Sequence, residues 1–297
     1  MKNITVGISA YNEEKNITSV LKAIIAQNQD SWNLREILVY SDGSIDQTVK
    51  KAQNVGNSLI KIFDDGQRKG KTARIEELFQ AATGDTIVMF DGDITITSKN
   101  VISSIVRAFD KNDGIKLVGG NTKPYPPTNF FQKAVYSTFR VFYESRIKIN
   151  NGKNLFACTG ACLAITNDFA REVKFPKIKN QDTYLYFLSI KKGYQFAFAE
   201  NAVVYYKLPK NLSDYLSQVF RSNPEAVEIN LKKYFGELVH REYQRGNMFY
   251  LRNVLKVFTK DPLPTFFIIV INILCIPFFR FFSKSSSMSW NSVKSTK

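Results

Sequence analysis

Histidine and cysteine are nearly missing from this chain. Its 297 residues hold one histidine, His240, and three cysteines, Cys158, Cys162 and Cys275. With a single histidine, a His-based triad is not expected. Cys158 and Cys162 have no second Cys or His pair after them, so a zinc site is not expected. A sparse, odd set of thiols also argues against a secreted disulfide framework. Acidic residues are scarce as well: 26 Asp and Glu against 41 Lys and Arg leave a net charge of +15. A charge of that size draws anions, whether nucleic acid, anionic lipid or phosphorylated substrates, and composition alone does not choose among them. The N-terminus lacks a long apolar run and leads directly into a strand pattern. No signal peptide is read there, and the catalytic part is expected to stay in the cytoplasm.

The first third of the chain alternates strand and helix patterns. Apolar runs at residues 4–9, 36–40, 59–63 and 86–90 read as strands. Between them, residues 16–27, 46–55, 71–82 and 98–109 carry apolar side chains at helical spacing, such as Ile17, Val20, Leu21 and Ile24. This pattern predicts a doubly wound α/β domain with a mostly parallel sheet. Ligands of such sheets bind beyond the carboxyl ends of the strands. All four predicted strands end in a polar or charged segment.

After about Thr122 the pattern loosens. A Pro-rich crossover (123–129) is followed by an aromatic-rich helix (130–149), an apolar strand-like stretch with Gly160 inside it (155–165), and two short strands (195–206). Residues 213–260 read as basic helices. Residues 266–282 form an apolar run broken by Asn272, Pro277 and Arg280. That run is at the lower limit for a span, since about 20 residues are needed. A buried core helix is the other reading, and membrane association the expected one. The Ser/Lys-rich tail at 284–297 is expected to be disordered.

Four clusters carry chemistry. Asp91-Gly92-Asp93 ends an apolar strand, and two carboxylates around one small residue suit Mg²⁺ or Mn²⁺ shared with a diphosphate. A solvated turn is the plainer reading. Ser41-Asp42-Gly43-Ser44 offers a carboxylate at a strand end, able to accept from a nucleobase N–H, with Asp46 free to cap the next helix. Tyr11-Asn12-Glu13-Glu14 is either an acidic first turn or an acceptor of ribose and base donors. Arg68-Lys69-Gly70-Lys71 leads a positive loop into a helix N-terminus, a natural anion site, or is a solvated basic face.

Together, in this order and spacing, the four segments resemble those of the family 2 glycosyltransferases, which share the GT-A fold. The resemblance runs from about Ile4 to Arg221. It implies a GT-A-type α/β catalytic domain over residues 1–212, with a nucleotide half at about 1–122 and an acceptor half at about 123–212. A basic helical region (213–262) and an apolar membrane-associated segment (263–283) would follow. The implied activity is inverting transfer of a sugar from a UDP- or GDP-type nucleotide-sugar, with Mg²⁺ or Mn²⁺ as cofactor. By that resemblance Tyr11, Glu13, Asp42, Arg68, Lys71 and Asp91 hold the donor nucleotide, and Asp93, with Asp91, the metal.

Downstream, Asn180-Gln181-Asp182 stands where the family often has a Glu-Asp pair. Asp182 is the candidate general base, with helix capping as its alternative. Gly160 lies in a small-residue stretch like the one bordering the family's acceptor site. Gln218 and Arg221 resemble a Gln-x-x-Arg-Trp motif, but Ser222 stands in place of the Trp. The expected acceptor is a lipid-linked saccharide, a polyprenyl phosphate or a surface polysaccharide at the membrane.

Two other functions were open at this level. A sugar-phosphate nucleotidyltransferase needs a Gly-rich loop after the first strand, and the acidic, glycine-free segment at Tyr11-Asn12-Glu13-Glu14 disfavours it. A non-enzymatic basic protein binding membrane or nucleic acid would leave the acidic strand ends unexplained. The basic residues cluster C-terminally with no aromatic-interleaved recognition motif, so no nucleic-acid partner is expected.

Overall fold

The computed structural model describes residues 1–178, 180–221 and 224–282. Strand and helix alternate through β1 (Lys2–Ala10), α1 (Ile17–Ile25), β2 (Trp32–Ser41), α2 (Thr48–Gln53), β3 (Ile60–Phe63), α3 (Lys71–Ala81), β4 (Thr86–Asp91), α4 (Val101–Phe109) and β5 (Ile115–Pro124). After α5 (Phe130–Lys148) come β6 (Cys162–Thr166), α6 (Asn167–Glu172), α7 (Gln181–Lys191) and β7 (Gln195–Tyr206). Four helices close the described chain: α8 (Leu212–Arg221), α9 (Pro224–Phe235), α10 (Glu237–Lys260) and α11 (Pro262–Phe282).

The seven strands form one sheet in the order β3-β2-β1-β4-β6-β5-β7. All pairings are parallel except those of β6, which runs antiparallel to both β4 and β5. The order turns back on itself at β1, where β2 and β4 flank it from opposite sides. A crevice for ligands opens at such a reversal.

Alternation along each strand divides the core between the two sheet faces. Ile4, Val6 and Ile8 of β1 join Val88 and Phe90 of β4 on one face, covered by Ile17, Leu21 and Ile24 of α1 and Ile102 and Ile105 of α4. Ile87 and Met89 of β4 take the other face, against Leu78 and Phe79 of α3, Phe169 of α6, and Leu185 and Phe187 of α7. Leu231 and Phe235 of α9 extend that second core.

Three local expectations change. Residues 195–206 make one strand, not two. The register of β5 against β7 jumps between Gly120 and Asn121, bulging three residues of β7 outward, and the Asn121 side chain donates to the Glu200 carbonyl at 2.8 Å inside that bulge. A bulge of this kind reads in sequence as a break between two strands. Gly160 lies just before β6 rather than within it, because residues 155–157 form a 3₁₀ turn. β5 has no counterpart in the sequence reading, since Gly119 and Gly120 interrupt its apolar alternation.

The last helices build a layer on α5. Ala134, Val135, Leu208, Tyr215 and Ile268 form a third core cluster there. The Tyr215 hydroxyl donates to Asn272 at 2.7 Å, the Asn253 amide donates to the Val141 carbonyl at 3.0 Å, and Arg140 pairs with Asp261. The outer faces stay apolar: Leu251 is 67 % exposed, Leu255 59 %, Leu263 73 % and Leu274 64 %. The apolar run of residues 266–282 lies in α11, yet among the described residues no helix is long and apolar enough to cross a membrane. The expected tail at 284–297 lies outside the described residues.

One buried carboxylate ties the sheet together. Glu36 of β2 is 2 % exposed; it accepts from the Thr5 hydroxyl of β1 (2.9 Å), the Thr83 N–H (2.8 Å) and hydroxyl (2.7 Å), and the Lys61 ammonium of β3 (2.7 Å). Burial opposes its charge, but the bonds from Lys61, Thr83 and Thr5 prevail and hold its pKa at about 2. A depressed carboxyl adds stability above its unfolded pKa and loses it as pH falls through the folded value. Glu36→Gln is expected to lower unfolding stability in urea at pH 7 by about 2 kcal/mol, with the gap closing toward pH 3. Equal urea midpoints at pH 7 would rule that role out.

Candidate functional site

The carboxyl ends of β1, β2 and β4 bring the acidic segments together. Asp42, directly after β2, is buried. Its Oδ1 accepts from the backbone N–H groups of Lys69 and Gly70, each at 2.8 Å, so the loop after β3 folds over it. The Arg68 Nε lies 3.4 Å from the other oxygen. The Arg68 guanidinium stacks 3.5 Å over the Tyr11 ring. Tyr11, Asp42 and Arg68 thus form one cluster, with planar groups and a carboxylate facing a shared edge.

Glu13 and the Asp91–Asp93 turn form a second cluster next to it. Glu13 is buried. Its N–H donates to Thr48 Oγ1 at 2.7 Å, and its carboxylate accepts from Asn16 Nδ2 at 3.0 Å. A side chain on Gly92 would meet Glu13 Cγ at 2.8 Å, so Gly92 lets the acidic turn lie directly on Glu13. The consequence is charge crowding. Burial, followed by the fields of Asp91 and Glu13, pushes the Asp93 carboxyl up to about 7. The Lys71 ammonium, on the first residue of α3, reaches Asp91 Oδ1 at 2.5 Å. Among the described residues no three His, Cys, Asp or Glu side chains come together as a ready metal cage. Asp91 and Asp93 nonetheless supply hard oxygen donors in a crowded negative pocket, the chemistry that fits Mg²⁺ or Mn²⁺ when a diphosphate completes the shell.

The acceptor-side residues close in from β6 and α7. The Gly160 N–H donates to Asp182 Oδ2 at 2.9 Å, and the Thr183 N–H donates to Oδ1 at 2.8 Å. Asp182 does not cap α7, whose N-cap is Asn180; as the second residue of the helix it accepts from the adjacent Thr183 N–H, and the Oδ2 bond joins it to Gly160. Burial raises its pKa, against the opposing pull of the Thr183 N–H, Lys71 and the Gly160 N–H. A Cβ on Gly160 would sit 3.1 Å from Gln181 Nε2, 3.6 Å from Asp182 Oδ2 and 3.7 Å from Lys71 Nζ. Gly160 is thus the meeting point of the Lys71–Asp91 pair and Asp182.

Two further expected residues lie on α8. Gln218 is half-buried on α8, whose Tyr215 packs into the third core cluster. Arg221 ends that helix, and its side chain lies outside the described residues.

Arg74 was not anticipated. It is 2 % exposed on α3. Its guanidinium donates to Asp65 (2.5 Å), Glu77 (2.9 Å) and the Gln67 carbonyl (2.6 Å), and its Nε lies 3.5 Å from Asp42. It fixes the 64–70 loop from beneath. The sequence carried a signal: Arg74 precedes Leu78 by four residues, on the apolar face of the helix.

Comparison with known proteins agrees with this geometry. The fold is that of an α/β class with a charged site at the strand ends. The description of the Glycosyl transferase family 2 matches residues 5–173, more than half of the chain, and the chain belongs to that family. Its relatives include 4,4'-diaponeurosporenoate glycosyltransferases of Staphylococcus aureus strains bovine RF122 / ET3-1 and USA300, each 27 % identical over 142 residues. Those matches cover 47 % of this chain and only 36 % of each relative. Among solved structures, the mannosyltransferase PcManGT from Pyrobaculum calidifontis, in complex with GDP-Man and Mn2+, is similar at a TM-score of 0.61 and 16 % identity, over 95 % of this chain and 83 % of the other. Glucosyl-3-phosphoglycerate synthase from Mycobacterium tuberculosis, in complex with Mn2+, UDP and glucosyl-3-phosphoglycerate, is similar at 0.55 and 18 % identity, over 79 % and 80 %. The sheet is the mostly parallel, mixed sheet of such GT-A enzymes.

Because Arg74 holds the loop that donates two N–H bonds to Asp42, Arg74→Met is expected to raise the donor KM by about tenfold or more, the effect of losing one to two charge-assisted bonds. Steady-state kinetics with varied donor would check it, and kcat should change by less than about threefold, as for a binding interaction made equally in ground and transition states. An unchanged donor KM in a folded variant would remove Arg74 from the donor site.

Proposed function

We propose that this protein is an inverting glycosyltransferase that moves a sugar from a UDP- or GDP-sugar to a membrane-proximal acceptor. The observation that carries this reading is the convergence of Lys71, Asp91 and Asp182 around Gly160. Inverting transfer needs a charge partner for the leaving diphosphate and a base for the acceptor hydroxyl, and a candidate for each lies close to Gly160.

Tyr11, Glu13, Asp42 and Arg68 would bind the nucleoside. Asp91 and Asp93 would hold Mg²⁺ or Mn²⁺, which when bound supplies charge neutralisation for the departing diphosphate. Lys71 adds a fixed positive charge at the same place, where negative charge develops in the transition state. Asp182 takes the acceptor hydroxyl proton as the oxygen attacks the face opposite the leaving group, which inverts the configuration. Its raised pKa makes it a stronger base than an exposed carboxylate. Gly160 leaves space for the acceptor, and Gln218 and Arg221 are assigned to the leaving-group region by resemblance alone.

The membrane reading rests on α10 and α11. Leu251, Leu255 and Phe258 form an exposed apolar stripe on α10, beside exposed Arg252, Lys256 and Lys260. On α11, Leu263, Phe266, Phe267, Val270, Ile273 and Leu274 continue it. Apolar side chains next to a basic stripe suit an interface with anionic headgroups. We assign the protein to the cytoplasmic face of a membrane, with a lipid-linked saccharide, a polyprenyl phosphate or a surface polysaccharide as acceptor.

Asp182→Asn tests the chemistry. It is expected to lower kcat by 10²–10⁴-fold, the usual range for a lost general base, while nucleotide affinity stays within a few-fold. The wild-type rate should fall on the acid side, since a raised carboxyl is protonated, and useless as a base, at a higher pH than an ordinary one. Transfer activity at wild-type level in Asp182→Asn would contradict the assignment.

A further inference from the structure

Arg146 is a buried cation without a counter-charge. It lies on α5 with 9 % of its surface exposed. Its Nε donates to the Phe156 carbonyl at 3.0 Å, and Nη1 donates to the Thr122 carbonyl at 2.8 Å and hydroxyl at 2.9 Å. All these acceptors are neutral. Among the described side chains no carboxylate pairs with it, and the ionisable groups that act on it are the phenols of Tyr206 and Tyr143. Arg74, also buried, has Asp65, Glu77 and Asp42 around it. A guanidinium withdrawn from water needs a compensating anion, and none is found among the described side chains.

The remaining nitrogen, Nη2, makes no hydrogen bond among the described residues, and it is not among their sealed, unpartnered atoms. It therefore opens on reachable space. More positive charge lies close by: the Lys123 ammonium sits 5.5 Å from the centre of the Tyr143 ring, one helical turn before Arg146. This cluster borders the acceptor side of the site. Thr122 Oγ1, bonded to Arg146, is 3.3 Å from Thr159 Oγ1. The next residue, Gly160, donates to Asp182.

We infer that Arg146 and Lys123 form an oxyanion subsite on the acceptor side, and that the acceptor is an anion bearing a phosphate or a carboxylate. A planar guanidinium with an unbonded Nη2 and an ammonium nearby is a donor set for such a group. This rests on the glycosyltransferase reading for the word acceptor, while the anion site itself stands on the geometry of Arg146.

The test is calorimetric titration of the full chain with inorganic phosphate and, separately, with octanoate, after saturating UDP or GDP with Mn²⁺ has filled the donor site. Wild type is expected to bind at least one of the two anions. Phosphate alone would identify a phosphate-bearing acceptor, octanoate alone a carboxylate-bearing one, and both a site for either oxyanion. Arg146→Met should weaken that binding at least about tenfold, Arg146→Lys should restore part of it, and nucleotide affinity should not move in either variant. Lys123→Met, which removes no bond to a backbone carbonyl, should weaken it several-fold and carries the test if the Arg146 variants fail to fold. Absence of anion binding by wild type, or unchanged binding in folded Arg146→Met or Lys123→Met, would overturn the subsite. If neither UDP nor GDP binds, the donor reading fails, and the dependence of anion binding on Arg146 and Lys123 is then read on the nucleotide-free protein.

Discussion

Like charge held at close quarters is the constraint around which this molecule is arranged. Glu13, Asp91 and Asp93 come from the ends of two adjacent parallel strands, and burial together with the fields of Asp91 and Glu13 lifts Asp93 to about 7. Such crowding is unfavourable in a protein with nothing bound, and a site that binds a cation and a diphosphate is where it is tolerated. Lys71 relieves part of it through Asp91. Other features serve the same spot: Gly92 admits the turn onto Glu13, Asp42 draws the 64–70 loop inward, and Arg74 holds that loop from below.

The same geometry links the donor and acceptor halves. β6 runs antiparallel to β4, so its start lies beside the end of β4, and the Asp91 N–H donates to the Ala161 carbonyl. Gly160 is thereby set against Lys71 and Asp182 together. A wholly parallel sheet would have put the start of that strand at the opposite edge, far from the acidic turn. Reversal of one strand is what sets Gly160 and Asp182 of the second half against Lys71 of the first.

Much of this was legible in the residues. Periodicity identified the first four strands and the helices between them, because their apolar faces are uninterrupted, as in residues 86–90, and it marked the stretches that hold β6 and β7. The acidic strand ends pointed to the donor side, since parallel topology sends every such loop to one edge. Other parts were hidden for physical reasons. Two adjacent glycines masked β5, and a three-residue bulge made β7 look like two strands. Arg74 and Arg146 act from inside the fold, so their partners, distant in sequence or on other elements, appear only once the chain is folded. The basic stretch after residue 213 was read as helical, but only the packing of α10 and α11 on α5 reveals which of their faces remain apolar and open.

The central claim is that the crowded carboxylates of the β4 turn bind a nucleoside diphosphate through a divalent cation. Calorimetric titration of purified protein with UDP and GDP, with and without Mn²⁺, on wild type and on Asp93→Asn tests it most directly. Binding of one nucleotide that requires Mn²⁺ and is lost in Asp93→Asn is the result this account predicts. Binding of neither nucleotide by folded wild-type protein, or metal-independent binding that survives in Asp93→Asn, would contradict it.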